Sequence, residues 1–182
     1  MLSVERDVPS DYLCKAYHMG ARGTRDYYVC DLATDLMADG VSSRFVQHIV
    51  RDKQLATEVN GAITGTQDPG LLTLSATLCD GVDFATVEKA FAEEMDMLKS
   101  GDVSAQELEK IINRREAMNV FQEMSAMNKA YSLAKFAMEG DVDMINKEID
   151  IYRDITCDDV AEVLTRTVVP ENESTLYYRK KC

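Results

Sequence analysis

The amino-acid sequence predicts an α+β domain in which an antiparallel or mixed sheet carries helices packed on one face. Apolar and polar residues alternate in two neighbouring segments near the middle of the chain, as they do in strands with one buried face. Elsewhere apolar residues recur about every four positions, which is typical of amphipathic helices. The predicted order is strand, two helices, two strands, several helices and a strand. Helices and strands do not alternate one for one, so a doubly wound parallel fold is disfavoured.

Length and composition indicate a single domain over residues 1–182. The chain is 46% hydrophobic and 29% charged, the ordinary balance of a globular protein. We find no linker, no low-complexity segment and no internal repeat that would divide it. A chain of this length can bury a substantial core without disulfides or metal ions.

The charge of the chain narrows the classes of partner. There are 32 acidic and 20 basic residues, for a net charge of -12. Nucleic acid and anionic membranes are therefore not expected as partners, because both are bound largely through Lys and Arg. No apolar run approaches the roughly 20 residues that span a bilayer. The sequence does not decide between a cytoplasmic and a periplasmic location, because any signal peptide would lie upstream.

The first elements follow from local signals. Residues 12–19 are predicted to form a strand, and Thr24 is predicted to cap a helix that Gly40 stops. Ser42 is predicted to cap a short second helix. In residues 55–65, Leu55, Val59 and Ile63 are expected on one face of a strand.

A turn and a second half rich in helices follow. Residues 68–70 (DPG) are a turn signal. The next strand is predicted to bury alternate residues, namely Leu72, Leu74, Ala76 and Leu78. Helices are predicted after Asp83, after a capping box that begins at Ser104, and after Thr156. The second of these is expected to run on as one long stretch towards Met138. Residues 174–180 are predicted to form the last strand.

The histidines predict neither a metal site nor a catalytic centre. His18 and His48 are the only two, and neither begins H-E-x-x-H or H-x-x-E-H. We expect His18 to be a hydrogen-bonded strand residue and His48 to lie on the surface.

Covalent catalysis also finds no support in the sequence. No serine lies in a G-x-S-x-G elbow, and the five cysteines contain no C-x-x-C pair. A Cys14–His48 pair formed only by the fold stays open as an alternative. We therefore predict no catalytic residue, no metal ligand and no cofactor in this chain.

Methionine is abundant, with ten residues. Met95, Met118, Met124 and Met138 fall at or near apolar helix positions, so we expect most of the methionines to fill the core. The alternative is a pliable binding surface, for which methionine is well suited.

Two adjacent stretches carry a resemblance to a known family. Residues 39–45 read DGVSSRF, residues 49–55 read IVRDKQL, and a strand, a DPG turn and a second strand follow. This order resembles that of insulinase/pitrilysin-type zinc peptidases, and the flanking strands and the long helix fit as well. The resemblance covers nearly the whole chain.

The resemblance implies a function that is not catalytic. The family is built from repeated α+β domains, of which one carries His-x-x-Glu-His and a further glutamate, while a related domain often lacks zinc ligands. This chain is similar to the second, C-terminal type. The implied role is to enclose an unfolded peptide substrate opposite a zinc-bearing domain or subunit, with zinc expected only in that partner. The alternative is a purely structural or interaction domain of a larger assembly.

One residue is implied to touch the substrate. In many family members this domain supplies an arginine and, several residues later, a tyrosine, both near the scissile bond. Arg51 stands at the arginine position, which makes it the candidate substrate-binding residue. The tyrosine position falls close to Thr57, so that half of the motif is missing. The alternative for Arg51 is a surface arginine paired with Asp52 or another acid, and Arg44 is expected to be structural.

Overall fold

The fold is a five-stranded mixed sheet with helices, seen in a computed structural model that describes residues 1–181. The strands are β1 (Leu2–Arg6), β2 (Tyr12–Met19), β3 (Ala56–Ile63), β4 (Gly70–Leu78) and β5 (Glu173–Lys180). The α-helices are α1 (Arg25–Ala38), α2 (Phe84–Lys99), α3 (Ala105–Glu123), α4 (Ala126–Glu139), α5 (Met144–Arg153) and α6 (Cys157–Thr167). A π-helix (Val46–Asp52) and a 3-10 turn (Pro170–Asn172) complete the elements.

The strands lie in the order β1-β5-β2-β4-β3. β1 pairs with β5 in parallel, and every other neighbouring pair is antiparallel. Burial alternates along β4 as predicted, with one side of the strand buried and the other only half-buried. The buried side faces the helices, so the helices pack on one face of the sheet. The predicted fold class is confirmed.

Helix α1 packs closely against β3. Thr24 caps it as predicted, because its side chain accepts a hydrogen bond from the Tyr27 amide. A Cβ atom on Gly61 would lie 3.1 Å from Cβ of Ala38 and 3.3 Å from the Thr34 carbonyl. The missing side chain at Gly61 therefore permits this close approach.

Strand β1 was not predicted. It has five mostly exposed residues with charged neighbours, and no buried face gives it an alternating pattern. It becomes a strand because it pairs with β5, which lies more than 150 positions further along the chain.

The helix after α1 differs from the prediction in its start and its type. The π-helix begins after Phe45, which is already helical and has no side-chain cap. The Ser42 hydroxyl instead accepts a hydrogen bond from Lys110 of α3. The prediction that Ser42 caps this helix is therefore wrong.

A β-bulge changes the start of β3. The register shifts between Ala56 and Glu58, so Ala56 takes the buried position that the alternation assigned to Leu55. Leu55 packs against the core from just before the strand. Val59 and Ile63 keep the predicted face because they follow the bulge.

The predicted long helical stretch is broken into α3 and α4. The Ser125 side chain accepts a hydrogen bond from the Asn128 amide and caps α4, so the chain starts a new helix there. Gly140 ends α4 with φ of 97°, as the helix-stop signal predicted.

The prediction for the methionines is wrong for three of the four named. Met95 is buried, but Met118, Met124 and Met138 are 42%, 77% and 81% exposed. Helical spacing places them on apolar faces, but it cannot show whether the same chain covers those faces. Only Phe136 is buried in α4.

The cysteines form no disulfide among residues 1–181. Cys14, Cys30, Cys79 and Cys157 are free, and Cys30 lies in the core. Cys182 lies outside the described residues. In the same part of the chain, no helix has the length and apolar character needed to cross a bilayer.

Candidate functional site

The candidate site is the junction between the π-helix and the edge strand β3. The buried side chains of Phe45 and Ile49 hold the π-helix against the core, and the Phe45 ring stacks on that of Phe91 at 4.6 Å. The Leu55 amide donates to the Ile49 carbonyl, so the π-helix is tied directly to the chain that enters β3. Arg51 lies in the last turn of the π-helix. A π-helix is rare, and it occurs frequently at functional sites.

The Arg51 side chain is available to a ligand. It is exposed, and it forms no hydrogen bond or ion pair with any residue among 1–181. The expected alternative, a pairing with Asp52 or another acid, is therefore not found in the described chain. A guanidinium can hold a peptide carbonyl or carboxylate with forked hydrogen bonds.

Arg44 is structural, as predicted. Its guanidinium binds both carboxylate oxygens of Glu107 at 3.0 and 3.2 Å and also donates to the Asp102 carbonyl. Burial acts to raise the pKa of Glu107, but hydrogen bonds from Arg44 and from the Ser104 backbone outweigh it and lower the pKa. Arg44 thus ties the start of α3 to the loop before the π-helix.

β3 lies at the edge of the sheet in the described chain. An edge strand presents backbone donors and acceptors that another strand can pair with. Its outward residues, Glu58, Asn60 and Ala62, are exposed. Thr57 lies in the bulge, and its hydroxyl donates to the Thr77 carbonyl at 3.3 Å. No tyrosine occurs in the π-helix or in β3 to replace the missing family residue.

A histidine–carboxylate pair joins the same π-helix to α2 and was not predicted. Nδ1 of His48 is 2.7 Å from Oε1 of Glu94, whose side chain is only 3% exposed. Oε2 of Glu94 has no hydrogen-bond partner in the described chain. The two residues are 46 positions apart, and no spacing signal relates them. The open Cys14–His48 alternative is not favoured, because the imidazole pairs with Glu94.

His18 does not carry the predicted hydrogen bond. Its side chain is exposed on β2, and within residues 1–181 it has no side-chain hydrogen-bond partner. Only its backbone carbonyl is used, as an acceptor for Asn172. The prediction is wrong because His18 points to the face of the sheet that the helices leave open.

Two acidic residues of α1 share one arginine as their ion-pair partner. Asp31 and Asp35 stand one turn apart, and the Arg115 guanidinium lies 3.0 and 2.7 Å from them. The Tyr152 hydroxyl donates to Asp31 at 2.6 Å. Burial raises the pKa of Asp35 to about 6, although Arg115 opposes the shift. Among residues 1–181 there is no group of three or more His, Cys, Asp or Glu side chains that could hold a metal ion.

These features define the site in plain terms: an exposed edge strand, β3, next to a π-helix whose Arg51 has no partner in the described chain. Residues 2–115 match the peptidase M16 inactive domain, and the chain belongs to that family. The resemblance to insulinase/pitrilysin-type peptidases, and to their non-catalytic domain, is confirmed.

Solved structures agree with the family. The inactive peptidase domain of a candidate zinc protease from Bordetella parapertussis is 25% identical with a TM-score of 0.84, and the match covers 98% of this chain and 95% of that one. A candidate zinc protease structure from Bordetella pertussis is 25% identical with a TM-score of 0.83, covering 95% and 94%. No curated protein sequence matches the chain.

A longer relative shares the fold. A protease from Helicobacter pylori has a TM-score of 0.91 at 20% identity, and the match covers 98% of this chain. This chain spans only 43% of the length of that protease.

Proposed function

We propose that this chain is the substrate-enclosing, non-catalytic domain of a zinc-dependent peptidase, and that residues 1–182 form one half of a larger peptidase unit. It would lie opposite a zinc-bearing domain, in the same parent chain or in a partner subunit, and hold an unfolded peptide there. The observation that carries the proposal is the free Arg51 guanidinium in the last turn of the π-helix, which packs against the edge strand β3.

The edge of β3 supports binding of extended peptides. A peptide can add to a sheet edge through main-chain hydrogen bonds, which are independent of its sequence. The buried anchors Phe45 and Ile49 keep the adjacent π-helix fixed, so the peptide would meet an edge whose position does not change. An unfolded substrate offers the free backbone groups that this mode of binding requires.

Arg51 would supply the polar contact that β-addition lacks. Since it has no acidic partner in the described chain, binding a peptide carbonyl or carboxylate does not require it to break an existing ion pair. Thr57 cannot replace the phenol of the family tyrosine, because its short hydroxyl is directed to the Thr77 carbonyl. The expected contribution of this domain is therefore to binding and orientation of the substrate.

Peptide turnover by a reconstituted pair tests the proposal. The partner would be the protein or domain from the same genome that carries His-x-x-Glu-His. We expect Arg51→Ala to lower kcat/KM by about tenfold, which corresponds to about 1.4 kcal/mol. Arg51→Lys should recover only part of the loss, because an ammonium lacks the guanidinium fork.

Arg6→Ala is the matched control, since Arg6 is an exposed arginine on β1, at the opposite edge of the sheet from β3, and within the described chain its side chain donates only to the Glu5 carbonyl. Equal turnover for wild type, Arg51→Ala and Arg6→Ala would reject a substrate-binding role for Arg51.

The second candidate function is a purely structural or interaction domain within a larger assembly. The observation that favours it is Thr57, which leaves the family's arginine–tyrosine pair incomplete. On this hypothesis the domain is still needed for assembly, but Arg51→Ala leaves peptide turnover unchanged. The same experiment therefore discriminates between the two functions.

A further inference from the structure

A second surface of the molecule is unusually apolar. It covers the C-terminal half of α3 and the whole of α4, and we call it the α3–α4 surface. Its large hydrophobic side chains are between 37% and 81% exposed. They are Met118, Val120, Phe121, Met124, Met127, Tyr131, Leu133 and Met138.

The size of the α3–α4 surface indicates an interface. Side chains of these types at these exposures present on the order of 1,000 Å² of surface, whereas the largest apolar patch on a typical monomer is about 300–600 Å². A stable protein–protein interface buries about 800 Å² on each partner. The α3–α4 surface is thus large enough for a lasting interface without contributions from elsewhere.

The arrangement of side chains on α4 favours a helix as the partner. Met127, Tyr131, Ala134 and Met138 follow one another at intervals of four, three and four residues. This spacing forms a stripe along one face of a helix and is the pattern that packs against another helix. Phe136 lies off this stripe and is buried against the rest of the domain. Methionine side chains adapt to irregular partner surfaces.

The charge distribution favours a partner other than a second copy. Residues 117–138 contain one acid, Glu123, and two bases, Lys129 and Lys135. Lys129 lies 4.0 Å from Glu123, and Lys135 lies over the Phe136 ring at 4.8 Å, so these charges are already engaged within the surface. The chain as a whole carries a net charge of -12. Two copies joined here would bring two strongly acidic bodies together, and that repulsion opposes self-association.

We infer that the α3–α4 surface is where the zinc-bearing peptidase domain docks, through a helix with an apolar exposed face. This inference rests on the proposed function, which supplies the partner. It assigns the molecule two separate binding surfaces. The edge of β3 with Arg51 receives the peptide, and the α3–α4 surface receives the partner domain.

Binding measurements on the full chain test the inference. The probe is the His-x-x-Glu-His protein or domain from the same genome, titrated by calorimetry against this chain. We expect the double variant Met127→Glu/Tyr131→Glu to bind at least about a hundredfold more weakly, because both charges would be buried in an apolar interface. Thermal unfolding of the variant should stay close to that of wild type, since both side chains are exposed.

Val41→Glu is the matched control, because Val41 is an exposed hydrophobic residue on a different part of the chain. It should bind like wild type. If wild type binds and the double variant binds equally well, the docking surface is wrong while the proposed function stands. If wild type does not bind the zinc-bearing protein, the proposed function fails and this inference fails with it. A wild-type dimer that becomes monomeric in the double variant would assign the surface to a second copy and overturn the inference.

Discussion

At the scale of single residues, two arginines of the same segment have opposite environments. Arg44 is held by Glu107 and the Asp102 carbonyl, whereas Arg51 has no partner in the described chain. The sequence predicted that Arg44 is structural, and the family resemblance identified Arg51 as the candidate. It did not reveal the His48–Glu94 pair, because contacts across 46 residues depend on the tertiary fold.

The buried Asp35 carboxylate predicts a pH dependence of stability. Its pKa is raised by burial from 3.8 to about 6, so the folded chain binds this proton more tightly than the unfolded chain. Stability from this group therefore increases as pH falls from 7 towards 4. When the pH is lowered from 7 to 5, the free energy of unfolding of wild type should rise by on the order of 1 kcal/mol relative to that of Asp35→Asn.

Urea unfolding of both proteins at several pH values between 5 and 7 measures this difference. Asp159 does not titrate between pH 5 and 7, because the hydrogen bond from Arg25 lowers its pKa. The stabilisation that Asp159 provides is therefore lost only at lower pH. A difference between wild type and Asp35→Asn that stays constant with pH, or that changes in the other direction, would contradict the assignment.

At the scale of elements, local signals were sufficient for most helices that a side chain caps. Thr24, Ser104 and Thr156 cap helices as predicted, and Asp83 caps the helix that was predicted after it. The exception is α4, because its cap at Ser125 lies inside a stretch that was predicted as one long helix. The other failures were β1, the bulge in β3 and the π-helix. Each depends on a distant strand or on packing against the core, and neither is visible in a local pattern. The candidate site lies in the π-helix and β3, which were predicted as a short helix and a strand, but the π geometry and the bulge were not predicted. Only Arg51 and Thr57 could be named from the sequence, through the family resemblance.

The close packing of α1 on β3 predicts the effect of a single methyl group. Gly61→Ala should destabilise the fold by about 1–2 kcal/mol, because the new Cβ would crowd Ala38 and the Thr34 carbonyl. Chemical denaturation measures the loss, with Asn60→Ala as the control on the opposite face of β3. The loss should be smaller in an Ala38→Gly background, which restores the space. Equal losses in both backgrounds would show that the crowding of Ala38 is not the cause.

At the scale of the whole molecule, the periodicities and the resemblance predicted the fold class and the family. They could not predict which apolar faces are covered by the chain itself. The exposed stripe of α4, at positions 127, 131, 134 and 138, follows the same helical spacing as the buried residues of α2. Whether an apolar helix face is buried or exposed is decided only by how the helices pack on the sheet and on one another. For this reason the sequence alone predicts core positions for Met118, Met124 and Met138.

The central claim is that this chain contributes to proteolysis by binding and orienting the substrate and not by catalysing a chemical step itself. The most direct measurement is peptide hydrolysis by the purified chain alone, by the zinc-bearing partner alone and by the two mixed, with the zinc content of each determined. We predict no hydrolysis and no bound zinc for this chain, weak activity for the partner, and a large gain in kcat/KM on mixing. Stoichiometric zinc in the isolated chain with hydrolysis of its own, or an unchanged rate on mixing, would contradict the claim.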